Sequence, residues 1–138
     1  MNETFADTFY YLALLNPDDA AHQRALAVTA HRQGTLVTTR WVLAEVGDAM
    51  AAPAYRRRFV NLIQTIESDP DTIVVPATDE LFHDGVLLFG QRPDKTWPLT
   101  DCISFLVMDQ HNIKDALTGD HHFAQAGFTP LMSGATQI

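Results

Sequence analysis

Four carboxylates stand beside residue types that suit the holding of a hard cation: Asp7, Glu45, Asp101 and Asp120. Three of them have a threonine hydroxyl close by in sequence. Thr8 follows Asp7, Thr100 precedes Asp101, and Thr118 lies two residues before Asp120. Asp101 poses the sharpest question, because the stretch "LTDCISF" sets an ionisable group in an otherwise apolar helix. A buried, unpaired carboxylate costs several kcal/mol, on the order of the margin by which small domains stay folded. Four converging acids would also repel one another. A divalent cation such as Mg²⁺ or Mn²⁺ relieves both problems, since such ions take oxygen ligands and keep waters that a substrate phosphate can replace. The hydroxyls would then orient carboxylates or metal-bound waters. Acids and threonines at helix starts are also what capping requires, so Asp101 by itself fits a cap as well as a ligand.

The elements that must position these acids follow from hydropathy patterning. "ETFAD" reads as a short strand ending at Asp7, followed by the helix "TFYYLALLN". Asn16 resembles an N-cap, with Pro17 at the first position of a second helix that Gly34 closes. "TLVTT" is a β-branched strand, and the helix after it aligns Val42, Val46 and Met50 on one stripe. A fourth helix from near Pro53 is expected to bury Phe59, Leu62, Ile63 and Ile66. "TIVVP" is a third strand, and Thr78 caps a helix expected to bury Phe82, Val86 and Phe89. Thr100 is placed as the cap of the helix "DCISFLVMDQHN". A short strand then ends near Thr118, "HHFAQAG" forms one or two helical turns, and "FTPLM" is a last strand. Strands alternating with helices predict a three-layer α/β/α fold around a mostly parallel sheet of four to five strands, in one domain over residues 1–138. In such sheets ligands gather outside the carboxyl ends of the strands, which is where Asp7 and Asp120 fall.

Composition bounds the partners. The 138 residues are 46% hydrophobic and carry a formal net charge of −8, which argues against a surface that coats nucleic acid by unspecific phosphate contacts. It leaves room for a nucleic-acid enzyme, because a bound cation reverses the sign of an acidic site. The positive charges cluster in "YRRRF" and at Arg92 and Lys95. The arginine run reads as a solvated helix face, whereas Arg40, Arg92 and Lys95 are candidate RNA contacts. The single cysteine, Cys102, and the lack of a signal-like or membrane-length apolar run point to a cytoplasmic protein with no membrane partner.

Other polar groups have plain readings. His121 and His122 read as surface and capping groups at the start of a short helix, Asp48 and Asp109 as solvated helix positions, and Asp18, Asp19 and His22 as helix-start residues. Trp97 anchors the loop ahead of Asp101, and Cys102 is a small core residue.

Taken in order, "FADTFYYLALLNPDDAAH", "LVTTRWVLAEV", "WPLTDCISFLVM" and "ALTGDHHFAQAGFTPL" resemble the PIN domain, in particular the small VapC-type toxins of toxin-antitoxin pairs. The resemblance covers nearly the whole chain. It implies a metal-dependent endoribonuclease that hydrolyses RNA phosphodiesters with one or two Mg²⁺ or Mn²⁺ ions. The implied metal-binding and catalytic acids are Asp7, Glu45, Asp101 and Asp120, with Thr8 and Thr100 in support. The implied partners are an RNA substrate (tRNA, rRNA or mRNA), a small antitoxin of VapB type seated in a groove, and a second copy in a homodimer. The helices around Phe59, Leu62 and Ile66 offer surfaces for such partners, or ordinary core. Two departures stand out: Pro98 occupies a place where relatives often carry serine, and Gly119 precedes the last acid, with an expected loosening of its placement.

Two rival functions are weighed. A catalytically silent PIN-like module that binds RNA or protein would not need acids at all four positions. A phospho-acceptor domain of the receiver type needs a lysine at the end of a late strand beside the acids, whereas here that strand ends in "ALTGD" with Lys114 at its start.

Overall fold

The computed structural model describes residues 2–134. Five strands form one sheet: β1 (Glu3–Ala6), β2 (Thr35–Thr39), β3 (Thr72–Val75), β4 (Asp115–Leu117) and β5 (Thr129–Pro130). Seven helices connect and flank them among the described residues: α1 (Thr8–Leu15), α2 (His22–His31), α3 (Arg40–Ala49), α4 (Pro53–Ser68), α5 (Asp79–Gln91), α6 (Leu99–Gln110) and α7 (His121–Gln125). The strand order is β3-β2-β1-β4-β5, and every neighbouring pair is parallel. The expected mostly parallel sheet is therefore wholly parallel.

The layering follows from burial along β2. Leu36, Val37, Thr38 and Thr39 are consecutive and all buried, so both faces of the sheet are covered. Helix α1 packs on α2 and α3, and α5 packs on α6. The chain moves outward from β1 through β2 and β3, then returns to the other side of β1 with β4 and β5. Strands β1 and β4 thus flank the point where the winding reverses, the usual place for a ligand crevice in an open α/β sheet. The register pairs Ala6 with Leu117, which brings Asp7 level with Thr118.

Several local expectations change. Asn16 is the C-cap of α1, and its Oδ1 accepts from the Asp18 N–H, so residues 17–20 are spent in a turn and α2 begins only at His22. Pro98 is the residue that caps α6, and Thr100 lies inside the first turn, where its carbonyl accepts from the Ser104 hydroxyl. Helix α6 stops at Gln110 because Asn112 turns into the left-handed region at φ 57°. On α4, Leu62 and Ile66 are buried while Phe59 and Ile63 are half-buried.

Helix α5 is rotated from the expected face. Leu81 and Gly85 point inward, whereas Phe82, Val86 and Phe89 are exposed, as is Leu87. The cause is close approach to α6: a Cβ at Gly85 would lie 2.4 Å from Ile103 Cγ1, so only glycine lets the two helices meet along that line. Other expectations stand, including Val42, Val46 and Met50 buried on α3 and Thr78 capping α5 through Leu81 N.

Candidate active site

Each acid arrives at the crevice by a different local device. Asp7 follows β1 directly and is the N-cap of α1, its backbone extended at φ −96°, ψ 166°. Its carbonyl accepts from Tyr10 N at 3.1 Å, and the side chain is thereby left free to face the crevice. Thr118 Oγ1 donates to Asp7 Oδ2 at 2.8 Å and accepts from Asp120 N at 3.0 Å. One hydroxyl therefore joins the end of β1 to the loop after β4. Asp120 is the N-cap of α7, and its Oδ1 accepts from His122 N at 2.9 Å. Glu45 projects from the middle of α3 and accepts a short hydrogen bond from the Thr8 hydroxyl. Asp101 lies in the first turn of α6, where the helix dipole favours an anion.

Packing beneath the acids fixes their spacing. Phe105, one turn after Asp101, meets Trp97, Phe123 and Phe128 at centroid distances of 5.0, 5.0 and 5.6 Å, and Phe123 stands one turn after Asp120. Trp97 is buried, and its Nε1 donates to Gln125 Oε1 at 3.0 Å, so it anchors the loop as expected. Gly119 tightens the site. A Cβ there would come within 2.6 Å of Phe9 Cζ and 3.0 Å of the Met132 carbonyl oxygen, so this glycine lets the loop pack directly against α1.

The electrostatics mark the four acids as one cluster. Burial first, and then the charge of Asp101, push the Asp7 carboxyl up to about 7. Burial, followed by the charges of Asp120 and Glu45, pushes Asp101 up to about 7 as well. Asp7 and Asp101 are among the buried charged residues, and Asp7 Oδ1 is fully enclosed with no hydrogen-bond partner. A buried acceptor of this kind is costly to leave unmatched. The donor set is oxygen-rich, partly dry and negatively charged, which fits a hard divalent cation.

The structure brings together Asp7, Glu45, Asp101, Asp120, Thr8 and Thr118. The Thr8 hydroxyl is engaged with Glu45. The three candidate RNA contacts are tied elsewhere: Arg40 to Glu67 at 3.5 Å, Arg92 to Asp94 through two 3.0 Å bonds, and Lys95 to Asp94 at 3.9 Å. These surface pairs are weak enough to be exchanged for phosphate. Arg92 also lies over the Trp97 ring.

His122 corrects the plain reading of the histidine pair. His121 is exposed, but the His122 ring is mostly covered, and its Nδ1 donates to Asp101 Oδ2 at 3.0 Å and lies 3.3 Å from Asp120 Oδ1. Its Nε2 is 3.4 Å from Thr96 Oγ1. The usable signal was the Asp-x-His spacing across a helix start, which folds the second ring back over the capping carboxylate.

No family model matches the chain. It is 26% identical over 137 residues to the 23S rRNA-specific endonuclease VapC20 of Mycobacterium tuberculosis, from strain CDC 1551 / Oshkosh and from strain ATCC 25618 / H37Rv, spanning 92% of this chain and 96% of the relative. Its structure superposes on the crystal structure of Mycobacterium tuberculosis VapC20, described as a sarcin-ricin loop cleaving toxin. That match has a TM-score of 0.84 and 25% identity, and covers 91% of this chain and 96% of the other. The chain thus resembles a VapC-type toxin, in sequence and in fold, over nearly its whole length. Because this VapC-like fold brings strands together across the sequence, residues far apart in the chain line the crevice, and the bond from Thr118 to Asp7 is one instance. No helix among the described residues is long and apolar enough to cross a membrane.

Proposed function

We propose that this protein is a metal-dependent endoribonuclease that hydrolyses RNA phosphodiester bonds and serves as the toxin of a toxin-antitoxin pair. The observation that carries the reading is the buried, unpartnered Asp7 Oδ1 beside a second buried acid, Asp101, with the charges of Asp101 and Asp120 acting against ionisation of Asp7 and those of Asp120 and Glu45 against ionisation of Asp101. Asp7 and Asp101 would hold one or two Mg²⁺ or Mn²⁺ ions, with Asp120 and Glu45 completing the set. Such ions, when bound, polarise a phosphate and make a bound water nucleophilic near neutral pH. The chain's own residues do the rest. Thr118 holds the Asp7 carboxylate in place, Thr8 orients Glu45, and the aromatic cluster around Phe105 keeps α6 and α7 in register. Thr100, next to Asp101, supports that turn through its carbonyl. Arg40, Arg92 and Lys95 are positioned to trade their carboxylate partners for RNA phosphates.

The relatives' named target makes 23S rRNA the first substrate to assay, alongside tRNA and mRNA. The partners follow the same reading. An antitoxin of VapB type fits the cleft of about 230 Å³ lined by Leu12, Leu15, Met50, Tyr55 and Arg58 between α1, α3 and α4. This replaces the surface expected around Leu62 and Ile66, which are buried. The exposed Phe82, Val86 and Phe89 of α5 suit a homodimer contact. Function in the cytoplasm accords with an RNA substrate.

The test compares wild-type protein with Asp7→Asn and Asp101→Asn in Mg²⁺, Mn²⁺ and EDTA on ribosomal RNA and tRNA. Cleavage that requires the cation and falls by at least about a hundredfold in both variants is expected, since each loses charge at the point where the reaction needs it. Full activity in either variant, or in EDTA, defeats the proposal. A catalytically silent binding module would show RNA binding with no cleavage under every condition.

A further inference from the structure

We infer that Asp120, His121 and His122 form a three-ligand binding site for a divalent transition metal of the Zn²⁺ class, its fourth position left to water, distinct in chemistry from the all-oxygen centre proposed for Mg²⁺ or Mn²⁺. One ligand atom from each of Asp120, His121 and His122 lies within 4.8 Å of the others. His122 Nδ1 is 3.3 Å from Asp120 Oδ1 and 3.0 Å from Asp101 Oδ2, and His121 Nδ1 is 3.7 Å from Asp120 Oδ1. A tetrahedral Zn²⁺ with bonds of about 2.0–2.1 Å sets its ligands about 3.3–3.4 Å apart. The His122–Asp120 separation matches that edge and the His121–Asp120 separation exceeds it by a few tenths of an ångström, a gap that rotation of the exposed His121 ring closes.

The chemistry is as specific as the spacing. Two imidazoles and a carboxylate favour a borderline cation over Mg²⁺, which prefers six oxygens. Binding replaces the proton that His122 Nδ1 shares with the Asp101 carboxylate, and that proton leaves to solvent as the nitrogen lone pair turns to the metal. Rigidity comes from the Asp120 cap on His122 N and from the next residue, Phe123, which is fully buried and packed against Phe5 and Phe105. His121, exposed on α7, is the ligand free to swing in last.

This inference shares Asp120 with the proposed nuclease centre, so the two cations compete for it, yet its test does not depend on RNA cleavage. Untagged protein is titrated with Co²⁺, which gives intense visible absorption in a tetrahedral nitrogen-containing site and weak absorption in an octahedral oxygen site. The wild type is expected to show the intense band. His121→Ala, an exposed change that leaves folding intact, is expected to weaken Co²⁺ affinity by at least tenfold and reduce the band. Asp7→Asn is expected to retain it, since Asp7 is outside the set. Zn²⁺ should displace Co²⁺ and erase the spectrum. A weak octahedral spectrum, or an intense one unchanged by His121→Ala, overturns the site. Loss of RNA cleavage under all conditions would defeat the nuclease reading alone, with the Co²⁺ spectrum still deciding this one.

Discussion

The buried carboxylates predict an unusual dependence of stability on pH. Asp7 and Asp101 are both pushed up to about 7 in the folded chain from a usual value of 3.8. The folded state therefore binds more protons than the unfolded state across this window, and stability must fall as pH rises through it. With one pKa unit worth 1.36 kcal/mol, a single group shifted this far loses about 2.6 kcal/mol of stabilisation between about pH 5 and pH 8. The two carboxylates are not additive, because part of the Asp7 shift is the charge of Asp101. Together they should cost about 3–4 kcal/mol, a fall of roughly 10 °C in Tm for a domain of this size. The assay is urea or thermal unfolding in EDTA at several pH values for wild type and for Asp7→Asn with Asp101→Asn. The wild type should lose stability steeply above pH 5, and the double variant should be flatter by about that amount and more stable at pH 8. Adding Mg²⁺ should reverse the wild-type slope, since the cation binds only the deprotonated acids. Parallel curves for wild type and variant in EDTA would refute the account of Asp7 and Asp101 as a strained pair.

Two further outcomes follow from neighbouring contacts. Thr118→Val removes the hydroxyl that serves both Asp7 and Asp120 N, and should cost about 1–3 kcal/mol in urea unfolding while moving the pH midpoint of metal binding upward, because that hydrogen bond favours the Asp7 carboxylate; Thr118→Ser should restore both. Gly119→Ala should cost about 1–3 kcal/mol by forcing a methyl into Phe9 and the Met132 carbonyl, and calorimetry showing no loss of Tm would mean the loop packs more loosely than described.

How much was legible in the sequence depends on what kind of signal each residue carried. The β-branched run "TLVTT" and the acids at strand ends could be read because strand period and strand-end placement are local properties. Helix α5 could not be oriented by period, since Leu81, Phe82, Val86, Leu87, Leu88 and Phe89 put apolar groups nearly all round it. The deciding fact was a missing side chain, Gly85 against Ile103, and absence leaves no hydropathy trace. Gly119 misled for the same reason: a glycine reads as slack, whereas here it permits contact. His122 was assigned to the surface because a five-residue helix has too little pattern to show which way it faces, and only the buried Phe123 turns the ring toward Asp101. Asp101 stood out in the sequence because an acid within an apolar helix is a cost that hydropathy alone does not absorb, and the structure places it buried beside Asp120 and His122.

The bond between Thr118 and Asp7 spans 111 residues of sequence. Loops of that length close late, after local helices and hairpin-scale contacts have formed. During synthesis, the emerging chain first presents Asp7 and Glu45, then Asp101, and acquires β4, Thr118 and Asp120 last of these. Because β4 inserts beside β1 in the interior of the sheet rather than at its rim, a prematurely ended chain is left with an open edge on β1 and half a crevice. Completion of the acidic cluster thus waits on β4 and the loop after it, and a chain stopped before them carries the cost of an unpaired sheet edge without its full set of acids.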